Sequence, residues 1–324
     1  MFTAPTTKPL GNEVLRSDPA EPSPFSILSL PRPLPVGPNV ARSDDGLVNG
    51  ALRFDHQRCL QSVESPNCEP GDADDYPTPA DDVGPRFYPV GWTVPVGCEG
   101  GRVNPMLEQW ALEDVQSVTA HRLEAYLWSR ASLPDVMGPG TYMPSVMAVA
   151  ETVGEPSDPV NPRDGLAHAL ADYLRCTEAG GRATVLVPFD LGPYLLDRGV
   201  LVQNGTQLKT ATGHDAILGT GFDPQRGPFD NDDPSATDDP DAGTAWLAVT
   251  GPIFYQLGKA FLTADPTGRL RGGLQRGGVL PGMVDMRQGT PPVAIGARRA
   301  QFIFDTCCVR AIKCYVPNAR TVVG

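Results

Sequence analysis

Cysteine and histidine are the residues here whose side chains could do nucleophilic chemistry. The cysteines are Cys59, Cys68, Cys98, Cys176, Cys307, Cys308 and Cys314, and the histidines are His56, His121, His168 and His214. A thiol becomes a nucleophile when a neighbouring imidazole takes its proton. Cys176 or Cys307 meeting His121 or His168 in space would therefore describe a thiol hydrolase. No C-x-x-C pair exists, the count is odd and the spacing is irregular, which does not resemble a secreted disulfide framework. The plainer expectation is that the cysteines are small buried apolar residues of a reducing compartment. A Cys59–Cys68 bridge or a zinc site is the alternative.

Other chemical signatures are absent or have a plainer reading. There is no G-x-S-x-G elbow, no phosphate loop ending in Lys-Ser/Thr and no H-E-x-x-H. Gly138-Pro139-Gly140 and Gly219-Thr220-Gly221 lack the third glycine of a dinucleotide loop and read as turns. Asp230, Asn231, Asp232, Asp233, Asp238, Asp239 and Asp241 offer the oxygen ligands that calcium takes. They lack the EF-hand spacing and read as a solvated acidic loop. Asn204-Gly205-Thr206 fits a glycosylation sequon, but Asn-Gly is first a turn signal. Trp92, Trp110, Trp128 and Trp246 are explained by packing. No catalytic, cofactor-binding or metal-binding residue is assigned, and no enzyme activity is expected.

The elements that would position such residues carry more information. Glycine and proline, 35 each, exceed a fifth of the 324 residues, so long ordered arms and loops that need a surface to lie on are expected. Residues 1–42 carry proline every few positions and read as an extended arm. That arm holds an apolar patch, Phe25-Ser26-Ile27-Leu28-Ser29-Leu30. Residues 43–100 read as a long excursion with a two-stranded base (strands at 47–54 and 87–96) and an acidic tip at 69–82.

A helix is then expected from the Asn104-Pro105 start to a stop at Pro134 and Gly138. It has apolar residues Leu107, Ala111, Val115, Val118, Ala125 and Trp128 at helical spacing. At about 25 residues it would be the spine of the molecule. A second helix starts at Asn161-Pro162 and stops at Gly180-Gly181. A short helix is expected at 191–198, and strands at 184–187, 207–210, 214–218 and 244–250. Residues 264–290 are Gly-rich and irregular. The segments 298–304 and 309–316 alternate and read as a closing hairpin whose apolar face packs on the spine. The fold class is α+β.

Formal net charge is −12, which excludes the basic footprint of a general nucleic-acid binder and suits a surface that must not adsorb nucleic acid. Four lysines against many arginines suggest a high-GC genome. No secretory signal pattern and no membrane span are expected.

The order of these elements resembles the major capsid fold of tailed phages, which encapsulin nanocompartments share. Ala183-Thr184-Val185-Leu186-Val187-Pro188 with Tyr194-Leu195-Leu196 is similar to the axial-domain strand and helix of that family. Thr212 to Gly219 and Ala245 to Pro252 look like later strands of that domain, and Arg298 through Val316 like the C-terminal peripheral strands. Phe87-Tyr88, Cys98-Glu99-Gly100 and the pair Glu124 and Trp128 resemble capsid-related proteins of phages infecting high-GC bacteria. The resemblance implies an N-arm (1–42), an extended loop or E-loop (43–100), a peripheral domain with the spine helix (101–160), an axial domain (161–263) and a return to peripheral strands (264–324).

It also implies a structural protein of the virion, made in the host bacterial cytoplasm, without cofactor or membrane. Copies would form pentamers and hexamers of an icosahedral shell around double-stranded DNA, without binding it specifically. Scaffolding, portal and decoration proteins are the further partners implied, any scaffold being a separate chain because no charged helical leader precedes the arm. The alternatives are an encapsulin-like shell, another virion protein of this fold, and the thiol hydrolase.

Some shells of this kind cross-link through a lysine in the extended loop. Residues 43–100 contain no lysine. Assembled material boiled in detergent is therefore expected to run at the 34.5 kDa monomer mass; a ladder of multiples would refute this.

Overall fold

In the computed structural model the residues described are 24–30, 34, 46–47, 52–53, 86–97, 107–129, 144–177, 182–228, 243–264 and 293–317. A single 3-10 turn, Ile27–Ser29, comes first, then β1 (Leu52–Arg53), β2 (Arg86–Phe87), β3 (Val90–Gly97), α1 (Leu107–Ser117), α2 (Thr119–Trp128), α3 (Val146–Val149) and β4 (Glu151–Thr152). They are followed by α4 (Pro162–Cys176), β5 (Thr184–Pro188), α5 (Gly192–Asp197), β6 (Leu201–Asn204), β7 (Gln207–Thr210) and β8 (Asp215–Gly219). The last are β9 (Thr244–Thr250), β10 (Ile253–Leu257), β11 (Phe261–Ala264), β12 (Val293–Phe304) and β13 (Arg310–Tyr315). Helices and mainly antiparallel sheets make this a mixed α+β fold. The expected helix start at Asn104, its stop at Pro134 and Gly138, the Gly180-Gly181 stop, the 69–82 tip and most of the acidic and Gly-rich loops lie outside the described residues.

The expected single spine is two helices. Thr119 donates its hydroxyl to the Val115 carbonyl four residues back (2.8 Å), a bond that bends helices by drawing a carbonyl out of the main-chain ladder. Arg298 of β12 donates to the same hydroxyl (3.1 Å) and to the Gly258 carbonyl. Main-chain bonds still cross the join at Val118 (Val118 N–H to the Asp114 carbonyl, 3.2 Å; Arg122 N–H to the Val118 carbonyl, 3.0 Å), so α2 follows directly on α1 and Arg298 meets them at the join. α4 follows its sequence signals closely: the Asn161 side chain accepts the Arg163 N–H (2.9 Å), and Pro162 opens the helix.

A seven-stranded sheet runs in the order β4-β13-β9-β5-β8-β7-β6. Its central strands are buried on both faces, so they read as near-continuous apolar runs. Val185, Val187, Leu247 and Val249 face α4, against Leu166, Ala169, Leu170 and Tyr173. Leu186, Ile217, Trp246 and Ala248 share the opposite core with Leu123, Leu127 and Trp128 of α2 and Ile27 of the N-terminal segment. Arg310 ties α4 and β4 to β13 through Asp172 (2.5 Å) and Glu151 (2.5 Å).

The smaller sheet is built on the long β12, which pairs antiparallel with β10, β11 and β3. β1 and β2 form a separate antiparallel pair, Leu52 opposite Phe87. Strands β4, β6, β10 and β11 and the short helix α3 are not expected from the sequence.

The expected closing hairpin does not form. β12 stays in the smaller sheet, whereas β13 joins the larger one between β9 and β4. The residues between them carry the chain from one sheet to the other. The Asp305 carbonyl accepts the Thr250 hydroxyl (3.2 Å), and Cys308 is disulfide-bonded to Cys176 at the end of α4. β12 packs on the spine as expected, but Ile312 and Cys314 of β13 pack with Leu166 and Ala169 of α4 instead. Two alternating segments a few residues apart look the same in sequence whether they pair or part.

α1 lies directly on β12. A Cβ on Gly296 would stand 2.1 Å from the Ala111 carbonyl oxygen, with no flexible side chain to yield. Gly296→Ala is expected to cost about 1–3 kcal/mol by overpacking, read as a lower melting temperature; an unchanged melt would contradict this contact.

Candidate functional site

Along α2 the buried positions Ala120, Leu123, Glu124, Leu127 and Trp128 form one stripe at helical spacing. A carboxylate in such a stripe must be met by donors or be neutral. Glu124, with 0% exposure, is met by main-chain amides. One carboxylate oxygen accepts the Ile27 N–H (3.0 Å) and the other accepts the Gly221 N–H (3.1 Å). Burial outweighs these bonds and raises its pKa from 4.5 to about 7.

One turn on, the Trp128 indole N–H donates to the carbonyls of Asp223 (2.8 Å) and Arg226 (3.1 Å). Its ring stacks on Phe222 at 5.0 Å. Gly221 passes so close to the helix that an added Cβ would meet the His121 carbonyl at 2.1 Å. Glu124 and Trp128 thus hold the loop after β8 by its main chain, at four residues' spacing on one helix face.

The N-terminal segment is held the same way. Phe25 accepts the Leu218 N–H through its carbonyl (3.0 Å), and the Leu34 N–H donates to the Tyr255 carbonyl (3.2 Å). The Tyr255 hydroxyl donates to the Leu28 carbonyl (3.0 Å). Ile27, Leu30 and Leu34 bury their side chains. On the other flank of α2, the Tyr126 hydroxyl donates to the Gly91 carbonyl (3.0 Å). The arrangement registers three remote stretches of chain on one helix. It binds main chain and offers no nucleophile.

The residues singled out for chemistry do not converge. His121 and His168 are exposed on different helices. Cys176 is bonded to Cys308, and Cys307 is disulfide-bonded as well. This corrects the expectation of reduced cysteines, and neither thiol proposed as a nucleophile is free. The cause is the fold, which brings α4 and the β12–β13 turn to a Cα separation of 5.8 Å across 132 residues of sequence. Cys314 does match the expectation: it is a free, buried thiol whose pKa burial pushes up to about 12. Cys59, Cys68 and Cys98 lie outside the described residues.

Among the described residues no group of three acidic, histidine or cysteine side chains could hold a metal ion. No described helix is long and apolar enough to cross a membrane. The sequence reading placed Glu124 and Trp128 only as a family-like pair. The missed signal was an acidic residue inside an apolar stripe.

No family model matches the chain, and no curated protein matches it. Among solved structures it is similar to that of Gordonia phage Cozz, at 12% identity over 94% of this chain and 90% of that one, with a TM-score of 0.45. It is also similar to the capsid of Ralstonia phage GP4, at 13% identity over 72% of this chain and 75% of that one, TM-score 0.37. The holo-SrpI encapsulin complex of Synechococcus elongatus is a third, at 13% identity over 72% and 75%, TM-score 0.35.

Trp128→Phe removes the donor to two carbonyls and keeps an aromatic ring against Phe222. It is expected to cost about 1–3 kcal/mol and to raise the protease sensitivity of residues 220–228, measured by denaturation and limited digestion. Wild-type behaviour in both would show that the indole N–H does not hold the loop.

Proposed function

We propose that this chain is a structural shell protein, the major capsid protein of a tailed phage. Copies of it assemble into pentamers and hexamers of an icosahedral shell that encloses double-stranded DNA. The observation that carries the reading is the element order. An N-terminal segment lies across a spine helix, a paired excursion base (β1 and β2) precedes that helix, a mixed sheet follows it, and a long return strand, β12, comes back to β3. The division into arm, extended loop, peripheral and axial parts enters this proposal with β10 and β11 grouped by the smaller sheet and β13 by the larger.

The physical chemistry is consistent with a wall. Net charge −12 disfavours adsorption of the enclosed polyanion. Glu124 and Trp128 do positioning work that suits a subunit whose outlying segments must keep register while neighbours bear on them. The proposed place of action is the virion, after synthesis in the host bacterial cytoplasm, with scaffolding, portal and decoration proteins as further partners. Assembly is a closed, symmetric association of identical chains.

Negative-stain microscopy and sedimentation of the purified chain test this. Closed particles tens of nanometres wide are expected, and DNA-filled particles from infected cells. A monodisperse 34.5 kDa monomer at all concentrations would overturn it. Closed particles that never contain DNA would replace it with an encapsulin-like compartment.

A further inference from the structure

The link between β12 and β13 carries two adjacent cysteines that neither the proposed function nor the clasp on α2 uses. Cys308 is disulfide-bonded to Cys176, the last residue of α4, and Cys307 is disulfide-bonded as well. A chain made in a bacterial cytoplasm meets a thiol pool that keeps such pairs reduced. We propose that Cys176–Cys308 is a redox-timed staple: the subunit folds with both thiols free, and the bridge closes only when the protein reaches oxidising surroundings. The timing rests on the proposed virion reading, with synthesis inside the host and action outside it.

The contacts around the bridge bring its two ends together without the sulfur–sulfur bond. Leu166, Ala169, Leu170 and Tyr173 of α4 share one core with Val249, Ile312 and Cys308. Asp172, one turn before Cys176, is paired with Arg310, two residues beyond Cys308 (2.5 Å). The link is held at its start by Asp305. Its main-chain carbonyl accepts the Thr250 hydroxyl (3.2 Å), and its carboxylate accepts the Cys307 N–H (3.0 Å). Each cysteine is thus fixed within a few residues by hydrogen bonds and apolar burial, which are indifferent to the oxidation state of sulfur. Closing the bridge removes entropy chiefly from the unfolded chain, across a separation of 132 residues. It joins the end of β12, in the smaller sheet, to α4, which covers the larger one.

Access sets the order of steps. Cys308 is 5% exposed, whereas Cys176 is only partly buried, so a small disulfide reaches Cys176 first. The Cys176 thiolate attacks one sulfur of that oxidant, forming a mixed disulfide and releasing one small thiol. The Cys308 thiolate then attacks the Cys176 sulfur, forming the bridge and releasing the second small thiol. Two protein thiols are oxidised, one small disulfide is reduced, and the two protons end on the released thiols. In excess small thiol the same steps run backwards. Cys314, a free thiol in the same core, is 0% exposed and is shielded from the exchange.

Trapping the thiols in the full chain tests the staple. Bacterial cells expressing it are lysed into denaturant containing N-ethylmaleimide, and the cysteine peptides are read by mass spectrometry. Cys176 and Cys308 are both expected to carry the tag. After the native, untrapped protein is incubated with oxidised glutathione, their peptides should appear linked, and dithiothreitol should separate them. The double variant Cys176→Ala with Cys308→Ala leaves no unpaired thiol beside Cys307. When both proteins are oxidised, the wild type is expected to melt about 5–10 °C above this variant; when both are reduced, the two melts should coincide. A linked peptide already present at lysis would mean a permanent bridge and overturn the timing. No linked peptide after oxidation, loss of the cooperative melt in the reduced wild type, or equal melts of the two oxidised proteins would overturn the staple. None of these readouts depends on particle formation, so the shell reading and the staple fail separately.

Discussion

A carboxylate taken out of water needs donors fixed in place before it is buried, and those of Glu124 come from far along the chain in both directions. Ile27 and Gly221 each lie 97 residues away. Their amides cannot be presented unless the N-terminal segment and the loop after β8 are already laid against α2. The two segments are therefore coupled to one side chain, and either one out of place leaves one buried carboxylate oxygen without its donor. The rest of the central core follows from this. Trp128 secures the same loop one turn later, Phe222 and Ile27 fill the space beside it, and the seven-stranded sheet closes over them.

Around that contact the molecule uses close main-chain approach where other folds would use side-chain bulk. Gly296 lets α1 touch β12, and Gly221 lets the loop touch α2, each where a Cβ would meet a carbonyl oxygen at 2.1 Å. Backbone this close leaves little room for sliding, and Arg298 holding Thr119 ties β12 to the join between α1 and α2. The far face of the sheet is tied differently. Arg310 joins β13 to Asp172 and Glu151, and Cys176–Cys308 closes a loop of 132 residues. Removing a disulfide typically costs about 2–5 kcal/mol, whereas ion pairs to carboxylates as exposed as Asp172 and Glu151 contribute about 0–1 kcal/mol each. This face has ties independent of the clasp.

Much of the element inventory was legible. Asn161-Pro162 announced α4 because capping and the fixed proline φ act within a few residues. β5, β8 and β9 fell where the apolar runs stood, because strand burial is written position by position. β4, β6, β10 and β11 were not seen. β6 is mostly exposed and lacks an apolar signature, and β10 and β11 are only partly buried. The spine helix was recognised, but its division into α1 and α2 was not, since the join at Val118–Thr119 is met by an arginine 179 residues away. Glu124 stood in an apolar stripe in plain view. Its role as a receiver of distant amides had no local sign.

The sequence by itself determined what depends on neighbours along the chain: helix starts, the apolar faces, the acidic surplus and the lack of lysine in residues 43–100. The tertiary structure alone decided what depends on remote partners. It sent β12 and β13 to different sheets, although their alternation matched a hairpin. It joined Cys176 to Cys308, although their spacing suggested no pairing. It also turned the family-like pair Glu124 and Trp128 into the clasp of the N-terminal segment and the β8 loop. The physical reason is common to all three. Backbone preference and burial periodicity act over a few residues, whereas a strand's partner, a disulfide and a buried carboxylate are each completed by groups that only folding brings within bonding distance.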